Sequence, residues 1–191
     1  MNWLAHFLLA EPTPAFRVGS VLPDFAPAAV LAALPPAFQP GITQHRQVDL
    51  FTDSHPVFNR SRRRFPSPFR RFGGILTDVF YDHLLTRQWT SYSAVPLPAF
   101  AAQVYTAIED CRPELPPELY TRLARLREAD LLGAYGELAG IARVLAGIGG
   151  RLRRPFDLAA ALPLLEAQYG ALQEDFDCFF PELRTHLAAP S

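Results

Sequence analysis

Aspartate and histidine recur in three short stretches of this chain, each set among apolar residues. Gly19-Ser20-Val21-Leu22-Pro23-Asp24-Phe25 holds a single acid between hydrophobic neighbours. His45-Arg46-Gln47-Val48-Asp49-Leu50-Phe51-Thr52-Asp53 spaces His45, Asp49 and Asp53 by four, so on a helix they rise along one slowly drifting stripe. In Asp78-Val79-Phe80-Tyr81-Asp82-His83, Asp78 and Asp82 share a helix face and His83 is turned about 100° from Asp82. Carboxylates gathered on neighbouring helices repel one another unless a positive charge lies between them, and a divalent cation meets that need. Mixed Asp/His ligation without a thiolate suits Mn²⁺, Fe²⁺, Mg²⁺ or Zn²⁺. Such an ion acidifies a water and polarises a phosphoryl oxygen, with Arg46 placed to bind phosphate.

Each residue also has an ordinary reading. Asp24 alone would serve as a helix N-cap, and His45 with Asp49 as an exposed i,i+4 pair. Asp53, ahead of Ser54-His55-Pro56, reads better as the cap of the next helix than as a ligand. His55 reads as structural, His6 as a core histidine of an apolar N-terminal helix, and His186 as a surface residue. Taken together, with Asp78, Asp82 and His83 inside a strongly apolar run, the set favours a metal site.

The elements that must position these groups read as helices. Many of the 19 prolines sit where a helix begins, as in His55-Pro56, Ser67-Pro68, Leu97-Pro98 and Pro116-Pro117. Apolar residues recur at intervals of three and four, as in Leu76, Val79, Phe80 and Leu84, or Leu119, Leu123 and Leu126. Leu131, Tyr135, Leu138 and Ile141 form another such run, as do Leu164, Leu165, Leu172, Phe176 and Phe179. Val and Ile are sparse and no hairpin dipeptide is present, so strands are not expected. The expectation is an all-α single domain over residues 1–191, with seven to nine helices and a longer loop over 147–155.

Composition narrows the classes further. With 49% apolar residues, the 191-residue chain can bury a core without disulfides. Cys111 and Cys178 suggest neither a disulfide framework nor a zinc cluster. The apolar run at 1–10 is too short to span a membrane and lacks the basic flank of a signal peptide, which points to the cytoplasm. Net charge is −1, yet all 18 basic residues are Arg, six of them between Arg60 and Arg71. That cluster would bind phosphate or carboxylate bidentately, or steer an acidic partner. One short basic cluster with no reading motif does not favour nucleic acid.

The order of these stretches resembles the acyl carrier protein phosphodiesterase (holo-ACP hydrolase) family. The matching pieces are Met1-Asn2-Trp3-Leu4-Ala5-His6, Gly19…Leu22-Pro23-Asp24-Phe25, and Gly41-Ile42-x-x-His45-Arg46-x-x-Asp49-x-x-Thr52-Asp53. Asp78-Val79-x-Tyr81-Asp82-His83-x-Leu85 and Phe176-x-x-Phe179-Phe180-Pro181 follow in order, so the likeness runs along nearly the whole chain. Ser20 and Pro23 depart from it, standing where Asn- and Ala-like residues are expected. The resemblance implies a divergent relative of the HD-domain phosphohydrolases, metal-dependent with Mn²⁺ favoured and Mg²⁺ or Fe²⁺ as alternatives. The implied reaction frees 4′-phosphopantetheine from the serine of holo acyl carrier protein.

On that implication Asp24, His45, Asp49, Asp78 and Asp82 are metal-ligand candidates, and His6, Arg46 and His83 are catalytic candidates. Arg46 binds the phosphate, and Arg62, Arg63 and Arg64 offer a docking surface to the small, acidic carrier protein. One rival reading keeps the metal and takes a nucleotide or other small phosphodiester as substrate. Another is a non-catalytic helical module that binds an acidic protein through the arginines.

Overall fold

In a computed structural model that describes residues 2–189, the chain is all-α, with no strand among the described residues. Met1 of the N-terminal motif lies outside them. In chain order the α-helices are α1 (Trp3–Leu9), α2 (Pro14–Gly19), α3 (Ala28–Ala32), α4 (Gln39–Ser54), α5 (Pro56–Arg62) and α6 (Gly73–Arg87). They continue with α7 (Trp89–Tyr92), α8 (Leu97–Asp110), α9 (Pro117–Glu128), α10 (Leu131–Ala134), α11 (Leu138–Arg151), α12 (Leu162–Ala167) and α13 (Tyr169–Ala188). The count exceeds the expected seven to nine because single-turn pieces such as α7 and α10 stand as elements of their own. None of the helices is long and apolar enough to cross a membrane.

Proline opens α2, α5, α8, α9 and α12 in their first turns, where its missing N–H costs nothing. Pro181 breaks that pattern by lying inside α13. That helix continues through it because Leu172, Phe176, Phe179, Phe180 and Leu183 are all buried on either side.

The chain divides into two compact units. One comprises residues 3–49 and 89–133, so it contains α1 to α3, most of α4, α7 to α9 and the start of α10. Here α2 packs on α8 and α8 on α9. The other comprises residues 50–88 and those from 134 onward, with Asn2. Its centre is α6, against which α5, α11 and α13 pack.

Three expectations need correction. The glycines of 147–150 do not open a loop: α11 runs to Arg151. Gly149 is required there because a Cβ would overlap the Phe156 carbonyl and come within 3.3 Å of Leu158 N. Asp53 does not cap α5: it is an exposed residue within α4, and α5 begins after His55 with no side-chain cap. The fixed φ of Pro56 starts that helix instead. Finally, α6 is not a one-sided amphipathic helix, since Leu76, Thr77, Val79 and every residue from Phe80 to Leu85 are buried. A helix enclosed on most of its circumference hides its polar residues too, and Asp82 and His83 are among them.

Candidate metal centre

His6, on α1, is buried, and its ring stacks on that of His45 from α4, with centroids 4.2 Å apart and planes 16° from parallel. Asp49, one turn beyond His45, reaches both: Oδ2 lies 3.0 Å from His45 Nε2 and Oδ1 lies 3.3 Å from His6 Nε2. Asp24, in the 3-10 turn Leu22–Asp24, brings its Oδ1 to 3.7 Å from His45 Nε2. Its other oxygen, Oδ2, accepts a hydrogen bond from Trp3 Nε1 at 3.1 Å. Ligand atoms of His6, His45 and Asp49 all fall within 4.8 Å of one another.

Two glycines make this approach feasible. A Cβ on Gly41, one helical turn before His45, would overlap the Phe16 carbonyl oxygen and sit 2.8 Å from Ser20 N. A Cβ on Gly19 would sit 2.5 Å from the Phe38 carbonyl oxygen. With neither present, the end of α2 lies directly on the start of α4, and the Ser20 carbonyl comes within 2.8 Å of His45 Nδ1. Ser20 Oγ braces the same turn by donating to the Arg17 carbonyl at 2.8 Å and the His6 carbonyl at 3.2 Å.

That backbone contact decides the state of His45. Only an N–H can satisfy a carbonyl oxygen, so Nδ1 carries a proton and donates to Ser20. In the neutral ring, Nε2 then presents a lone pair to the carboxylates of Asp49 and Asp24. Such a face is stable only with a positive species in it, either the imidazolium proton or a cation. Burial lowers the pKa of His45, but the hydrogen bond and charge of Asp49, with Asp24 behind it, outweigh burial and hold it above the ordinary imidazole value.

The neighbours divide in the opposite sense. Burial pushes His6 down to about 4, against the raising effect of its Asp49 hydrogen bond, so it is neutral near pH 7. Burial would raise Asp49, yet the hydrogen bonds from His45 and His6 hold it well below the usual carboxylate range. Asp24 is raised by burial, with the charge of His45 opposing. The cluster is thus a neutral imidazole, an ionised carboxylate, a second carboxylate and an oriented imidazole. These are nitrogen and oxygen donors with no thiolate, a set that fits Mn²⁺, Mg²⁺ or Fe²⁺.

Of the sequence candidates, then, His6, Asp24, His45 and Asp49 come together in the unit of residues 3–49 and 89–133. Asp24 caps no helix, and His45 is buried rather than part of an exposed pair. Arg46 is exposed beside them on α4. Asp78, Asp82 and His83 lie on α6, in the other unit. There Asp82 is fully buried, and His83 Nδ1 donates to the Tyr135 carbonyl at 2.8 Å. That bond leaves His83 Nε2 as an acceptor, and burial lowers its pKa.

The arginine run splits. Arg60 Nε donates to Asp175 Oδ1 at 2.8 Å, and Arg64 Nε to Asp175 Oδ2 at 3.0 Å. Ser61 Oγ adds a bond to Asp175 Oδ2 at 2.6 Å, while Arg62 and Arg63 are exposed. His55 serves structure, with Nε2 3.0 Å from Glu182 Oε2, and His186 is exposed. Two contributors were not among the candidates. Trp3 was legible in principle, since an indole N–H in an apolar helix needs a partner. Ser20 was not, because its carbonyl rather than its side chain orients His45.

Two histidines and two aspartates gathered in one small space supply nitrogen and oxygen donors that could hold a metal ion. The family model for acyl carrier protein phosphodiesterase matches residues 1–183, and the chain belongs to that family of hydrolases. Relatives named acyl carrier protein phosphodiesterase from Salmonella dublin, Salmonella agona and Salmonella newport are each 33% identical over 189 residues, covering 98% of this chain and 98% of theirs. No solved structure matches the chain.

Proposed function

We propose that this enzyme is a divalent-metal-dependent phosphodiesterase that hydrolyses the bond between 4′-phosphopantetheine and the serine of holo acyl carrier protein. The observation that carries the metal is the face of His45: its Nδ1 is committed to Ser20, and its Nε2 is turned into two carboxylates. The relatives named acyl carrier protein phosphodiesterase support the substrate.

His45 and Asp49, with Asp24 at the edge, would hold the cation beside His6, and Mn²⁺ is the first choice with Mg²⁺ or Fe²⁺ the alternatives. Bound there, the cation supplies positive charge to a phosphoryl oxygen and acidifies a water. The chain's own residues do the rest. Asp49 and Asp24 set the charge of the centre, and the Ser20 carbonyl fixes the orientation of His45. Neutral His6 can take a proton from the attacking water, and exposed Arg46 balances the charge of the diester. Water oxygen bonds to phosphorus as the bond to the serine oxygen breaks, and the serine hydroxyl leaves with a proton. Apo carrier protein and 4′-phosphopantetheine are the products.

Asp78, Asp82 and His83 enter as further candidates, Asp78 and Asp82 for the metal and His83 for proton transfer. Exposed Arg62 and Arg63 are proposed to meet the carrier protein, with Arg64 as the member tied to Asp175. Kinship with the HD-domain phosphohydrolases and a cytoplasmic address belong to the same proposal, the former supported by the all-α fold and the His/Asp pairing.

The test is to follow 4′-phosphopantetheine released from holo acyl carrier protein by the purified chain, before and after chelation and on adding back Mn²⁺. Release that stops with the chelator and returns with Mn²⁺ is expected. Release of nothing from the carrier, with turnover of a small phosphodiester intact, would contradict the substrate.

A further inference from the structure

The unit of residues 50–88 and 134 onward carries a groove lined by Arg71, Phe72, Leu152, Arg153 and Arg154. Its floor is ordered by aromatic contacts. Phe72 and Phe156 have ring centroids 4.7 Å apart, and the Arg71 guanidinium lies over both, 4.5 Å from the Phe72 centroid and 5.1 Å from that of Phe156. Phe69 adds an edge-on contact to Phe156 at 5.7 Å. Arg71, the end of the first arginine run, and a second run, Arg151-Leu152-Arg153-Arg154, are therefore brought to one groove although some 80 residues of chain separate them. Gly73 ties in the end of α5, because a Cβ there would overlap the Arg62 carbonyl oxygen.

The charge on this surface is not neutralised from within. Arg62, Arg63, Arg70, Arg71, Arg153 and Arg154 are exposed, and none makes an ion pair with another described residue. Arg60 and Arg64, by contrast, are consumed by Asp175. The acid nearest in sequence to the second run, Asp157, turns its carboxylate to the N–H of Ala160. In a chain whose net charge is only −1, guanidinium groups from two chain segments gathered around one groove without carboxylate partners call for an anionic partner.

Resting on the function proposed above, we infer that this groove is where the acidic surface of acyl carrier protein docks. Arg71, Arg153 and Arg154 receive carboxylates of the carrier, and Phe72 and Leu152 receive an apolar side chain between them. A broad, two-segment array of planar donors around an apolar floor matches a protein face carrying several carboxylates better than one phosphate.

The test uses apo acyl carrier protein, which lacks the scissile diester and so reads docking without chemistry. Its binding to the full chain is followed by fluorescence anisotropy at low and at moderate salt. R153E/R154E is expected to weaken binding about tenfold or more and to flatten its salt dependence. Turnover of bis(p-nitrophenyl) phosphate should stay unchanged, and the R153K/R154K variant should recover part of the binding. An unaltered thermal midpoint is expected because neither arginine is ion-paired within the described fold, and R71E provides an independent variant from the first arginine run. Wild-type binding of apo carrier protein that survives R153E/R154E would overturn the docking groove while leaving the hydrolase reading intact. Preferential binding of a single-stranded oligonucleotide through these arginines would overturn it as well. Failure of the wild type to release 4′-phosphopantetheine from the holo form would instead overturn the function on which the inference rests.

Discussion

His45 donates from Nδ1 to the carbonyl of Ser20 at 2.8 Å, and this one bond turns its other nitrogen toward Asp49 and Asp24. A backbone carbonyl behind a ligating imidazole fixes both the tautomer and the ring plane. The bond exists because the end of α2 and the start of α4 meet at Gly19 and Gly41.

Gly41→Ala should therefore loosen the site as well as the fold. The added methyl has no room at the Phe16 carbonyl, and overpacking of this kind costs about 1–3 kcal/mol. Urea denaturation should show that loss, together with weakened Mn²⁺ binding. Gly147→Ala is the control: it lies inside α11, an added Cβ there meets nothing within 4 Å, and it should stabilise by about 0.5–1 kcal/mol. Equal midpoints for wild type and Gly41→Ala would contradict the packing argument.

Arg46→Ala separates charge balance from structure. Arg46 is exposed, so stability should change by less than about 0.5 kcal/mol. Loss of a charge-assisted bond to the diester should cost about 1.5–3 kcal/mol of transition-state binding, or roughly 10- to 100-fold in kcat/KM for holo carrier protein. Unchanged kcat/KM would remove Arg46 from the proposed machinery.

Asp175 provides a pH-dependent stability that has nothing to do with catalysis. Burial would raise its carboxyl, but hydrogen bonds from Arg64, Arg60 and Ser61 hold it below the ordinary value. A depressed carboxylate contributes stability above its unfolded pKa, near 3.8, and loses that contribution as pH falls toward the lower folded value. Asp175→Asn should be less stable than wild type by about 2 kcal/mol at pH 7, and the gap should narrow as pH falls below the unfolded value near 3.8. Urea midpoints across that range check the narrowing, and a gap that stays constant would refute it.

Much of this molecule was legible from residue spacing. Proline marked the starts of α5, α8 and α9, and the intervals of Leu119, Leu123 and Leu126 gave the buried face of α9. The four-residue step from His45 to Asp49 survives as a direct contact. What was hidden depends on tertiary packing. The glycines of 147–150 look like a loop until Phe156 is folded back onto Gly149, and α6 looks amphipathic until α5, α11 and α13 cover it. The sharing of Asp175 by Arg60 and Arg64 joins residues more than 100 positions apart, which no local pattern encodes.

The most direct measurement is an electron paramagnetic resonance titration of Mn²⁺ into the metal-stripped chain, run beside Asp49→Ala. The free-ion signal should disappear up to about one ion per chain in the wild type and persist in Asp49→Ala, whose helical circular dichroism should be unchanged. A wild type that leaves the free signal untouched, or an Asp49→Ala chain that binds as tightly, would contradict the metal centre.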